Sequence, residues 1–163
     1  MLTRSATELI SPRSIAVATG HPVLLDDGDG AGANDPTVVH LNLTRWADLM
    51  LIMPATANVL GKAAAGIADD ALTTCILAAT SPVVFVPSMN DAMWTKPAVQ
   101  RNVATLKDDG YGVIPPAVGL AAVDGKSGEG AMPDIMAVLR WTRRFLDAEA
   151  AGGEAQASSP IQG

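Results

Sequence analysis

Three short apolar runs end at proline: "LMLIMP" (Leu49–Pro54), "VVFVP" (Val83–Pro87) and "GVIPP" (Gly112–Pro116). Each has the length of one strand and none alternates apolar with polar residues, the pattern of strands buried on both faces of a parallel sheet. Each proline lacks an N–H and is expected to stop the ladder where it stands. Between the first two runs lies "ATANVLGKAAAGIADDALTTCILAAT", Ala-rich and helix-favouring, broken near Gly66 into two helices with Asp69 or Asp70 as the second N-cap. Between the second and third lies "DAMWTKPAVQRNVATLKDDG", with helical spacing at Val99, Val103 and Leu106 before Gly110 closes the segment. Strand, helix, strand, helix, strand is the order of an α/β fold with a parallel sheet.

The chain has 163 residues, enough for one domain with a real core. It is 48% hydrophobic but only 4% aromatic, so that core must be built from Ala, Val, Leu, Ile and Met. The net charge is -6 and the basic residues are scattered, which argues against nucleic acid as a partner. No run approaches the roughly 18 apolar residues of a membrane span, and residues 1–13 lack the apolar core of a signal peptide. The expected setting is the cytoplasm, with no membrane partner. Cys75 is the single cysteine, which excludes an internal disulfide and a multi-cysteine metal site; within "TTCILAAT" it reads as a core thiol.

The flanks are glycine-rich. "LLDDGDGAGANDPTVV" (Leu24–Val39) reads as an acidic, mobile loop whose Asp26, Asp27, Asp29 and Asp35 lack calcium-loop spacing. "GLAAVDGKSGEGAMPD" (Gly119–Asp134) reads as a second glycine-rich connection. "IMAVLRWTRRFLDAEA" (Ile135–Ala150) predicts a last amphipathic helix, and the residues beyond it read as a disordered tail, giving a domain over 1–147 and a tail over 148–163.

Ligands of open α/β sheets bind outside the carboxyl ends of the strands. Here those exits read "PATAN", "PSMNDAMW" and the second glycine-rich segment. Thr56, Asn58 and Asn90 bring hydroxyl and amide groups suited to a flat heterocycle or a carboxylate, while Met89, Met93 and Trp94 offer polarizable apolar faces. The competing reading makes Asn58 and Asn90 helix caps and the methionines core. His40, in "VVHLNLTRWADLM", is either a structural histidine or one that reaches an adjacent site, and His21 reads as exposed in a turn. No Ser-His-Asp or Gly-x-Ser-x-Gly pattern occurs.

"HLNLTRWADLMLIMPATANVLGKAAAGIADDALTT", followed by "PVVFVPSMNDAMW", resembles the homo-oligomeric flavin-containing cysteine decarboxylases, which carry a histidine, a PASANT motif and a PxMNxxMW motif in this order. "PATANV" departs from the first motif at Thr56 and Val59, whereas "PSMNDAMW" keeps every specified position of the second. The resemblance spans about Leu2 to Phe145. It implies a flavodoxin-like, Rossmann-like three-layer αβα sandwich, assembled as a trimer or a dodecamer of trimers, with FMN at a subunit interface. By position it implies that Thr56, Ala57, Asn58 and Met89 contact FMN and that His40 acts as base or proton shuttle. Asn90 would bind a substrate carboxylate, with Met93 and Trp94 beside it. Such members usually begin with a strand, a glycine-rich phosphate loop and a helix. Here "MLTRSA" resembles the end of the second strand, so the expectation is a chain lacking the N-terminal βα unit, with Thr3 and Ser5 left to face a phosphate.

A cysteine carboxylate does not lose CO2 readily because the carbanion has no electron sink; oxidation of the Cβ–S unit to a thioaldehyde supplies one, and an enethiol results. In the family's phosphopantothenoylcysteine decarboxylases a cysteine within an ACGDxGxGRM-like clamp then takes part in reducing the enethiol to a thiol. Here "VDGKSGEGAM" (Val123–Met132) aligns with that clamp without a gap, with Asp124 in place of the cysteine and Ala131 in place of the arginine. The resemblance therefore favours the branch that releases the enethiol from a Cys-terminated precursor peptide, as in lanthipeptide or thioviridamide-like maturation. Asp124, Gly125 and Gly128 would belong to a peptide clamp. The pantothenate-pathway activity and a non-catalytic regulatory or scaffold role remain open alternatives.

Overall fold

The computed structural model describes residues 1–25, 46–120 and 127–157. The chain groups into two compact units, residues 1–50 with 62–81 and residues 51–61 with 82–163.

The second unit is built on a three-stranded sheet of β1 (Met50–Ala55), β2 (Val83–Pro87) and β3 (Gly112–Val113), in that spatial order. β2 pairs with β3 in parallel, Val84 opposite Gly112 and Phe85 opposite Val113. β2 is central and all five of its residues are buried, as an unbroken apolar run should be when both faces are covered. The α/β class and the parallel sheet are those the sequence predicts.

Two expectations about the strands need correction. β1 lies at an edge among the described residues and its burial is not uniform: Ile52 and Ala55 are buried, whereas Leu51 and Met53 are more than a third exposed. Pro54 lies inside β1, which runs on to Ala55, whereas Pro87 is the last residue of β2, as expected. A proline removes one donor, but neighbouring residues still pair: β1 continues through Ala55, whose carbonyl accepts from the Ser88 N–H at 3.0 Å.

Helix α6 (Pro97–Asp108) buries Val103 and Leu106, and Gly110, at φ 89°, closes it in the left-handed conformation that glycine tolerates. Here α1 (Arg4–Thr7), α2 (Pro12–Thr19), α3 (Ala57–Ala64), α4 (Ala71–Ala78) and α5 (Asp91–Trp94) precede it in the chain. The last helix, α7 (Ile135–Ala157), brings Trp141 over the sheet at Gly112, where an added Cβ would lie 3.2 Å from the indole and 2.9 Å from Val84. The expected end of this helix at Ala150 is too early. A formed helix adds residues without a new nucleus, so the stretch 151–157, expected to be tail, is helical despite Gly152 and Gly153.

The described ends of the glycine-rich segment after β3 are strands, where the sequence reads as a connection. They form an antiparallel hairpin of β4 (Ala117–Leu120) and β5 (Ser127–Ala131). Glycine is a loop signal by composition, but within a strand it also marks a bulge or a close backbone approach, and both occur here.

In the first unit, Asp70 is the N-cap of α4. Its carboxylate accepts from the Thr73 N–H at 2.7 Å while the Thr73 hydroxyl accepts from the Asp70 N–H at 3.2 Å, a reciprocal capping box. Lys62 Nζ lies 2.7 Å from Asp69 and 2.9 Å from Asp70. Its pKa is pushed up to about 12, first by the hydrogen bond to Asp69 and then by that to Asp70. Desolvation acts to raise the Asp70 pKa, but the Thr73 hydroxyl, the Thr73 N–H and the Lys62 ammonium together hold it below its ordinary 3.8. The charged form therefore stabilises the fold above the unfolded-state pKa, and that contribution is lost as pH falls through the lower folded-state value. An Asp70→Asn variant keeps a capping side chain but loses the charge. We expect it to be less stable than the parent by about 1 kcal/mol or less at neutral pH. The gap should close as Asp70 protonates, read as urea midpoints down to about pH 3; a gap constant with pH would contradict this account.

Candidate functional site

The site is assembled where β1 and β2 end. The bond from Ser88 to Ala55 sets the two exits side by side in the second unit. On the β1 side Thr56 is exposed and its Oγ1 accepts from the Val59 N–H at 3.3 Å, closing the first turn of α3. Thr56, not Asn58, therefore caps this helix. Asn58 is exposed within that first turn, and Ala57 is half-buried between them.

On the β2 side Asn90 is the N-cap of α5. Its Oδ1 accepts from the Ala92 N–H at 2.8 Å, and its carbonyl accepts from the Met93 and Trp94 N–H groups, each at 3.0 Å. The capping reading of Asn90 is thus correct, and it does not compete with a binding role. The cap uses the amide oxygen and fixes the side chain's direction. The Nδ2 group, with two N–H donors and no partner among the described residues, is left available on an exposed residue. Met89 and Trp94 are half-buried and Met93 is 47% exposed, so none of them is a core residue.

The hairpin rests on this loop. The Met89 N–H donates to the Gly130 carbonyl at 2.9 Å, and Gly128 packs against the side chain of Asp91. Sequence reasoning placed Gly128 in a clamp but missed Gly130 and Asp91; the available signal was two glycines spaced by two within what proves to be a strand. His40, Asp124 and Gly125 lie outside the described residues. Thr3 and Ser5 are in the first unit, where Thr3 caps α1 by accepting from the Ala6 N–H at 3.3 Å and Ser5 is exposed on that helix.

The donor set suits a flavin. A flat heterocycle with alternating donors and acceptors needs hydroxyl and amide partners at its edge and polarizable atoms against its face. Thr56, Asn58 and the half-buried Met89 thioether offer these at two adjacent strand exits. The hydroxyl and the amides are neutral, so they orient a ligand without imposing a full charge. Among the described residues no helix is long and apolar enough to cross a membrane.

A family model described as Flavoprotein matches residues 1–147. Among curated proteins, the coenzyme A biosynthesis bifunctional protein CoaBC of Bacillus subtilis is 38% identical over 100% of this chain and 38% of its own length. The chain thus spans well under half of that relative. Among solved structures, one described as the FMN-dependent cysteine decarboxylase SpaF is 47% identical, with a TM-score of 0.64, covering 78% of this chain and 69% of its own. A PPC decarboxylase cysteine-to-serine mutant complexed with pantothenoylaminoethenethiol is 34% identical, with a TM-score of 0.70, covering 90% of this chain and 80% of its own.

Proposed function

The chain belongs to the Flavoprotein family, and from that premise we propose that it is an FMN-dependent peptidyl-cysteine decarboxylase. The reaction removes CO2 and two hydrogens from the C-terminal cysteine of a precursor peptide and leaves an aminoenethiol. The observation that carries this reading is the lack of a usable thiol. The segment joining β4 to β5 has Asp124 where a reducing cysteine would stand, and the chain's one cysteine, Cys75, is fully buried in α4. The comparisons support it in two ways. Identity is higher to the cysteine decarboxylase SpaF than to PPC decarboxylase, and a PPC decarboxylase whose cysteine is replaced is found with an ethenethiol.

FMN, when bound, supplies a two-electron acceptor. Thr56, Ala57, Asn58 and Met89 would hold it, with Thr3 and Ser5 toward its phosphate. Asn90 would direct its Nδ2 donors at the cysteine carboxylate. A neutral amide orients that group without the strong ground-state stabilisation that a lysine or arginine would give, which would oppose loss of CO2. His40 would take the thiol proton. Met93 and Trp94 would wall the cysteine side, and Asp124, Gly125 and Gly128 would belong to the clamp over the peptide. Assembly as a homotrimer, or as a dodecamer of trimers, is part of the same proposal.

The second reading, decarboxylation of phosphopantothenoylcysteine, is favoured by the match to CoaBC over the whole chain. Product masses separate the two. With FMN-loaded protein, a Cys-terminated peptide should lose CO2 and two hydrogens, while phosphopantothenoylcysteine should not yield the thiol product that has lost CO2 alone. Formation of that thiol, with no change in the peptide, would overturn our assignment.

A further inference from the structure

We infer that Gly128 and Gly130 are positioning residues: they seat the β4–β5 hairpin on the Asn90 loop, so that the direction of the Asn90 amide depends on the hairpin. The step from hairpin to carboxylate rests on the function proposed above; the seat itself rests on geometry alone.

The register of the hairpin contains the device. Ala117 pairs with Ala131 and Val118 with Glu129, so Gly130 is an extra residue on β5, a β-bulge. Its φ of 131° is open to glycine and strained for any other residue. The bulge frees the Gly130 carbonyl from the hairpin ladder, and that carbonyl accepts from the Met89 N–H at 2.9 Å. A Cβ on Gly130 would collide with the Met89 carbonyl oxygen, which is backbone and has little room to yield. Two residues away, a Cβ on Gly128 would stand 2.7 Å from the Cβ and from Oδ2 of Asp91. The two contacts bracket Asn90 on both sides, at Met89 and at Asp91. Between them the Asn90 side chain makes its cap to the Ala92 N–H, from which Asp91 Oδ1 also accepts at 2.7 Å. A shift of the hairpin thus moves the backbone on either side of the amide.

Gly119 offers a contrast within the same hairpin. A Cβ there would meet Ala131 at 2.5 Å, a clash internal to the hairpin and not directed at the Asn90 loop.

Hydrogen exchange reads the seat without any substrate. In Gly130→Ala the amides of Met89 and Ala92 are expected to exchange at least tenfold faster than in the parent, while the central-strand amides of Val84–Val86 exchange at the parental rate, showing that the fold persists. Gly128→Ala should do the same, and Gly128→Ala with Asp91→Gly, which removes the opposing Cβ, should restore parental exchange at Met89; Ala92 is not read in that variant, because Asp91 Oδ1 also accepts from its N–H at 2.7 Å. Parental exchange at Met89 and Ala92 in both single variants, or no recovery at Met89 in the double variant, would overturn the seat. If Gly130→Ala does not fold, the Gly128 pair decides alone.

Kinetics then reads the link to the carboxylate. Gly128→Ala should raise KM for a Cys-terminated peptide about tenfold with kcat changed less than threefold, and the double variant should reverse it. Faster exchange with an unchanged KM would overturn the positioning role. A parent protein that turns over no Cys-terminated peptide would instead overturn the proposed function, and exchange at Met89 and Ala92 would still decide the seat.

Discussion

An Asn90→Asp variant is expected to fold with α5 intact and to lose at least about 100-fold in kcat/KM toward a Cys-terminated peptide, on the scale of a lost charge-assisted hydrogen bond plus a like charge set beside the carboxylate. The substitution isolates one function of the residue. Aspartate caps a helix as well as asparagine does, so the bond now made by Oδ1 to the Ala92 N–H survives. The two Nδ2 donors are replaced by an acceptor that carries a negative charge. The loss should appear mainly in KM, and the thermal midpoint should remain within a few degrees of the parent, as expected for a surface change of about 0.5 kcal/mol. Parental turnover would show that the amide's donors do not hold the substrate. A collapse in stability would show that Asn90 serves the fold alone.

The second large effect is expected at His40. A positioned general acid or base contributes about 100- to 10,000-fold, so His40→Asn should lose turnover within that range. Asparagine is similar in size and can still donate a hydrogen bond, but it does not exchange a proton near neutral pH. Flavin content, measured by absorbance against protein concentration, should match the parent, because FMN contacts are assigned to Thr56, Ala57, Asn58 and Met89. The combination of retained flavin and lost turnover is what distinguishes a proton-transfer role. Lost flavin would make His40 part of the cofactor site, and unchanged turnover would remove it from the reaction.

Much of the architecture was legible because apolar runs report burial directly. β2 is the clearest case: five residues without a polar side chain became the central strand, buried throughout. β1 reads almost identically in sequence, yet Leu51 and Met53 are exposed, because a run of apolar letters does not say whether a neighbour covers each face. The caps were visible as residue types but not always as assignments. Asp70 was one of two candidates, and Thr56 took the role offered to Asn58, since capping depends on where the strand releases the chain. At Asn90 two readings set against each other proved compatible, because one amide has two ends. The hairpin was the least legible element. Glycine signals freedom in a sequence, and only the register reveals that Gly130 is a bulge aimed at Met89. Of the residues the resemblance assigned, Thr56, Asn58, Met89 and Asn90 are brought to adjacent strand exits, whereas Thr3 and Ser5 belong to the other unit.

The central claim is that the reaction ends at the enethiol because this chain has no thiol placed to reduce it. Anaerobic titration of FMN-loaded protein with a Cys-terminated peptide tests this by colour. Net removal of two hydrogens leaves two electrons on the flavin for every CO2 released, so the absorbance of oxidised FMN should bleach in proportion to product, one flavin per peptide, and return on admission of oxygen. Release of CO2 over many turnovers with the flavin remaining oxidised would mean that the electrons go back to the product, and would contradict the account.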